Sequence, residues 1–217
     1  MNSIDHIVSL LNAPWCGWTM LVLLLSVVLA EWAQPGIIRQ TPVSLLARTD
    51  RTYKEAPSNF PGLFFITLFR IGTPAMALCL CFCSPGHTSF AAFGVCCGII
   101  IGVMLIKWLC NRLIDYTFSL TRHFGAIQEH YRNIYTLAMV ILYPMLLILF
   151  RWANPLAAKW VTGIVIVLFL LAWFFRAART CFISPKAMLY LPAYFVTMEL
   201  LPIAMIVYLS AQTIPII

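Results

Sequence analysis

Residues 60–82, FPGLFFITLFRIGTPAMALCLCF, contain a single charged side chain, Arg70. A helix crosses the hydrocarbon core of a bilayer with about 20 mostly apolar residues, so this stretch is long enough to span it. Working outward, five further runs have the same character: 15–30, 89–108, 133–150, 160–175 and 190–210. The first, fourth and fifth of the six are slightly short, and Trp15, Trp18, Trp32, Trp152, Trp160 and Trp173 stand where they can anchor span ends at the interface. The whole composition agrees, since 62% hydrophobic and 10% charged residues lie far from globular averages. The expectation is an all-α polytopic transmembrane helical bundle of six spans, forming one integral membrane domain over residues 1–217.

The net charge of +7 does not indicate nucleic acid, because the basic residues fall in short groups between apolar runs rather than on one face. They report topology instead. Arg39, Arg48, Arg51 and Lys54 follow the first span; Lys107, Arg112, Arg122 and Arg132 follow the third; Arg176, Arg179 and Lys186 follow the fifth. The opposite side has Arg151 and Lys159. Cytoplasmic connections carry the Lys and Arg excess, which places both termini outside the cytoplasm. The stretch VLAEWA resembles a signal-peptide cleavage site, but no basic residue precedes Arg39, so the first run reads as a retained span. Before it, Ile4, Ile7, Leu10 and Leu11 have helical spacing and end at Pro14, which suits a short interfacial helix as well as it suits a frayed terminus. The connection 31–58 is broken by Pro35, Gly36, Pro42 and Pro57, with room for a short helix around 43–48. No internal repeat points to an inverted-repeat transporter.

Ionisable residues near the bilayer centre are costly and face the bundle interior or a wet cavity with a partner. Two qualify, Arg70 and Glu199, the latter in YFVTMELLPIAM, residues 194–205. Both spans run outward on this topology, and each charge falls about ten residues, or about 15 Å, beyond its span's start. Direct or water-mediated pairing of Arg70 with Glu199 is therefore expected, with Tyr143 brought to a similar depth as a third member of the network. The same three helices carry Pro74, Pro144 and Pro202, each a kink site that strands the carbonyl four residues earlier, on Arg70, Val140 and Met198.

CLCFCSPGH offers Cys79, Cys81, Cys83 and His87, with Cys96 and Cys97 in the next span. Cys79 and Cys83 share a helix face but Cys81 does not, so apolar packing is the leading reading, ahead of a disulfide from Cys83 to the third span and of a metal site. No metal and no cofactor is assigned. RHFGAIQEHYRN carries His123, Glu129 and His130 without H-E-x-x-H spacing or a nucleophile motif. Arg112, Arg122 and Arg132 are candidates for contacts to a phosphate or lipid headgroup, against the plainer reading of a solvated ion-pair network with Asp115.

The aromatic entrance YLPAYFVTM followed by ELLPIAMIVY resembles the closing segment of a Bacteroidota multi-span membrane family described as domain of unknown function 4271. NIYTLAMVILYPMLL in the fourth span is compatible with it. The resemblance implies a bacterial inner-membrane protein, supplies no activity, and carries over Glu199 and Pro202, with Tyr143 and Pro144. Three functions follow in order: an accessory or scaffold subunit of a cell-envelope assembly; a small proton-coupled transporter or permease using Glu199; and a membrane-embedded enzyme on a lipid-linked phosphate, with His123, Glu129 or His130 as acid or base. The partners implied are the lipid bilayer and a membrane protein or second copy, with no nucleic acid.

Overall fold

A computed structural model of the chain describes residues 14–36, 38, 60–82, 90–118, 121–152, 155–181 and 194–213. Their regular structure is entirely helical: α1 (Pro14–Ala33), α2 (Phe60–Phe82), α3 (Phe90–Phe118), α4 (Thr121–Trp152), α5 (Pro155–Cys181), and a π-helical turn (Val196–Leu200) leading into α6 (Leu201–Thr213). Six stretches are long and apolar enough to cross a membrane: Trp15–Ala33, Phe60–Phe82, Phe90–Leu113, Tyr131–Leu149, Leu156–Ala178 and Val196–Thr213. The expected interfacial helix before Pro14 and the short helix around 43–48 lie outside the described residues.

Contacts between helix ends fix the order in which the chain passes back and forth. Gly62 near the start of α2 lies against Gln34 just past α1. Cys81 at the end of α2 meets Thr162 near the start of α5, and Trp15 and Phe93 bring the starts of α1 and α3 together. At the opposite end, Trp173 of α5 meets Tyr131 of α4 and Tyr194 ahead of α6. Thus α2, α4 and the sixth span begin at the end where α1, α3 and α5 finish. Exposed Arg112 and Arg132 lie there, and it is called the basic end below.

Helix α2 is the centre of the bundle and packs against α1, α3, α4, α5 and α6. Half of its span is buried, against 11% of the sixth span. Ile66, Phe69 and Met76 of α2 interlock with Met20 and Leu23 of α1 and with Leu142 and Leu146 of α4. Gly72 permits the close approach of α1, since a Cβ there would strike Leu23 Cδ2. Most of the outer surface is apolar, including Leu24, Leu105, Ile106, Leu168 and Leu171; with no water to compete, helices satisfy their own backbone in such surroundings.

Four of the described tryptophans are exposed near the ends of spans. Trp32 and Trp108 are exposed at the basic end, and Trp18 and Trp160 at the other, as interfacial belts require. Trp173 is a correction: it is 3% exposed and belongs to the core, because the fifth span extends to Ala178 and moves it inward. The third span likewise continues to Leu113, so Lys107 lies inside it rather than in the connection that follows. Past the end of α1, Gly36 turns the chain with φ of 90°, and the Glu31 carboxylate accepts the backbone N–H groups of Gly36 (2.8 Å) and Ile38 (3.0 Å).

Candidate functional site

Near the basic end, α3, α4 and the start of the sixth span enclose one carboxylate. Glu199 is 1% exposed, and its Oε2 lies 2.6 Å from Lys107 Nζ. The Lys107 ammonium also sits 3.6 Å above the centre of the Tyr131 ring, where the ring quadrupole attracts a cation. The Tyr131 hydroxyl lies near enough to the same carboxylate to interact with it electrostatically. One turn beyond Lys107 on α3, buried Asn111 accepts the Tyr194 hydroxyl at 3.3 Å through Oδ1.

Aromatic rings close this pocket against lipid. Tyr131 stacks parallel on Tyr135 at 6.1 Å and meets Phe169 and Trp173 edge-on. Trp173 in turn packs on Tyr194 and Phe195. In such low-dielectric surroundings a pair of charges attracts strongly, while either one alone is expensive to keep.

Arg70 occupies a neighbouring centre. Its Nε and Nη2 both donate to Thr136 Oγ1, the first at 2.7 Å, and the Thr136 hydroxyl donates to the Arg132 carbonyl at 2.7 Å. The Tyr135 hydroxyl donates at 2.9 Å to the Arg70 carbonyl, the group that Pro74 deprives of its helical donor. The expected Arg70 to Glu199 contact is therefore replaced: Glu199 takes its ion pair from Lys107, and Arg70 binds a hydroxyl. Among the described residues the Tyr131 and Tyr135 rings, stacked on one another and both packed on Phe169, lie between the two centres. Tyr143 stands apart from both, its hydroxyl donating to the Met20 carbonyl of α1 at 2.8 Å and its ring packing on Phe69.

Of the three prolines, Pro74 and Pro144 lie within continuous helices. Pro202 follows the π-turn, in which the Leu201 N–H donates to the Val196 carbonyl and Glu199 falls inside the widened turn. Such turns inside α-helices are frequent at functional positions.

The chain belongs to the family described as domain of unknown function DUF4271. The family model matches residues 17–209, which include all six spans' cores and every residue of both centres. No curated protein and no solved structure matches the chain. For this DUF4271 chain, then, the geometry is the source of functional argument.

Among the other candidates, Arg112 and Arg132 are exposed at the basic end, while the side chains of Arg122, His123, Glu129 and His130 lie outside the described residues, as do Cys83 and His87. Cys79 Sγ lies 3.7 Å from Cys96 Sγ, linking α2 to α3, and Cys81 faces α5 instead. Sequence reasoning passed over Lys107, Asn111, Tyr131, Tyr135 and Thr136. A signal for the first was available: MLIKWLC stays apolar on both sides of Lys107. Tyr131 and Tyr135, four residues apart, share a helix face.

Proposed function

We propose that this protein is an accessory or scaffold subunit of a cell-envelope assembly in a bacterial inner membrane, with its basic connections on the cytoplasmic side. The closed Lys107–Glu199 pair carries the reading. Glu199 is 1% exposed, its charge is answered at 2.6 Å, and an aromatic cage surrounds it. A buried polar contact of this kind fixes which faces of three helices meet, as single buried polar residues fix register in coiled coils. A partner subunit would then dock on a bundle of defined shape, through the connections at the basic end or the lipid-facing surface.

The test is to replace the pair by apolar residues of similar volume, Lys107→Met with Glu199→Leu, in a strain lacking the native copy. A scaffold accumulates normally, retains its co-purifying subunits and restores growth. Loss of function in a variant that accumulates and folds normally would defeat the scaffold reading.

One observation favours a second reading, a proton-coupled transporter. Glu199 lies in a π-turn directly before Pro202, where the backbone is least constrained by helical bonding. In that case Glu199→Gln abolishes uptake in proteoliposomes, and unchanged uptake removes the mechanism.

A further inference from the structure

Among the described residues, the fold answers only part of what the Arg70 guanidinium can bind. Its Nε and Nη2 converge on one atom, Thr136 Oγ1, whereas a guanidinium presents five N–H donors in a planar fork. Among the described residues Thr136 is the sole acceptor of its side chain. No described carboxylate offsets its charge either. Glu31 holds the amides of Gly36 and Ile38, and Glu199 holds Lys107.

A second cation stands beside it. Arg132 lies one helical turn before Thr136 on the same face of α4, exposed, and close enough for its charge to act on Arg70. Side chains on a helix lean toward its N-terminus, and α2 and α4 both begin at the basic end. Arg70 and Arg132 therefore lean toward the same membrane face. Thr136 holds Arg70 from one side and ties its own hydroxyl to the Arg132 backbone, which orients the guanidinium without neutralising it. Two like charges on neighbouring helices repel one another unless an anion lies between them.

We infer that Arg70 and Arg132 form a binding site for an anionic phosphate group at the basic end of the bundle. Arginine forks match phosphate oxygens in bidentate geometry, and basic pockets between membrane helices take lipid headgroups. The phosphate belongs to an anionic lipid headgroup or arrives as a soluble phosphate. This site is separate from the Lys107–Glu199 pair and does not depend on the scaffold reading.

The experiment is native mass spectrometry of the full chain in detergent, titrated separately with phosphatidylglycerol and with inorganic phosphate, with phosphatidylcholine as reference. Wild-type protein binds at least one anionic probe more tightly than the reference. Arg70→Gln and Arg132→Gln each weaken that binding by about tenfold or more, the scale of a lost charged hydrogen bond. Lys159→Gln, at the far end of the bundle, leaves it unchanged. Binding of phosphatidylglycerol alone assigns the site to a lipid headgroup, and binding of inorganic phosphate, lost in the same variants, assigns it to a soluble phosphate. Because Arg132 is exposed, its substitution leaves folding intact. Wild-type affinity in Arg132→Gln, or binding of neither probe by the wild type, overturns the inference.

Discussion

Lys107→Met removes one charge of the buried pair while preserving the length of the side chain. It leaves the Glu199 carboxylate, 1% exposed, without its cation. Stranding one member of a buried pair costs about 3–5 kcal/mol. The reciprocal change, Glu199→Gln, is milder for two structural reasons. Lys107 keeps the Tyr131 ring at 3.6 Å, and its side chain, 14% exposed, can extend its stem toward the interface. A loss of about 1–3 kcal/mol is expected there. The double variant Lys107→Met with Glu199→Leu should return to within about 1 kcal/mol of wild type, since apolar replacement of a whole buried pair is often neutral. Thermal unfolding in a single detergent reads these differences. At about 2–4 °C per kcal/mol for a chain of this size, Lys107→Met lowers Tm by about 10 °C. Single losses that simply add in the double variant would refute the reasoning, because uncoupled sites add.

Tyr135→Phe should cost about 1–2 kcal/mol by leaving the Arg70 carbonyl without a donor. In a Pro74→Ala background the helix supplies that donor itself, so a double-mutant cycle should show the Tyr135→Phe loss shrinking. Gly72→Ala forces Leu23 from its place and should cost about 1–3 kcal/mol; combined with Leu23→Ala it should lose less than the sum of the two single changes in the same unfolding assay. Gly36→Ala sets a β-carbon in a left-handed conformation with φ of 90° and should lower stability by about 1–2 kcal/mol, measured as a fall in Tm with the rest of the helical circular dichroism unchanged.

Hydrophobic length made the six spans legible, because the energetic demand it reflects acts on each segment separately. The stranded carbonyl at Arg70 was legible for the same reason: proline chemistry is local, and only the identity of the donor, Tyr135, needed the fold. Pairing was harder. Matched depth made Arg70 a reasonable partner for Glu199, but depth does not say which helices are neighbours. In the bundle α6 packs chiefly on α3, with less against α2. Lys107 was counted with the basic connection although the run 89–108 already includes it, whereas its long stem lets a lysine belong to a span and keep its ammonium near the end. Trp173 was misplaced for the matching reason, as a span taken too short at its end turns a core residue into an interfacial one.

The π-turn explains why the site sits next to Pro202. A proline cannot donate to the carbonyl four residues back, so the bond to Met198 is lost whatever the surroundings, and the widened turn places the disruption where a partner already waits. Lys107 and Asn111 stand four residues apart on one face of α3. Tyr194 and Glu199, which meet them, stand five residues apart. In an uninterrupted α-helix a separation of five residues turns the second side chain about 140° from the first, too far for both to reach one neighbouring face. The π-turn brings them onto that face. Glu199 at the same time stays in helical register with Ile203, Ile206 and Ser210, which line the inner side of α6. The extra residue thus joins two registers, one set by α6 against the bundle and one set by Tyr194 against Asn111. Proline, carboxylate and tyrosine form one device: the first frees the backbone to widen, and the other two, held by α3, determine where it widens.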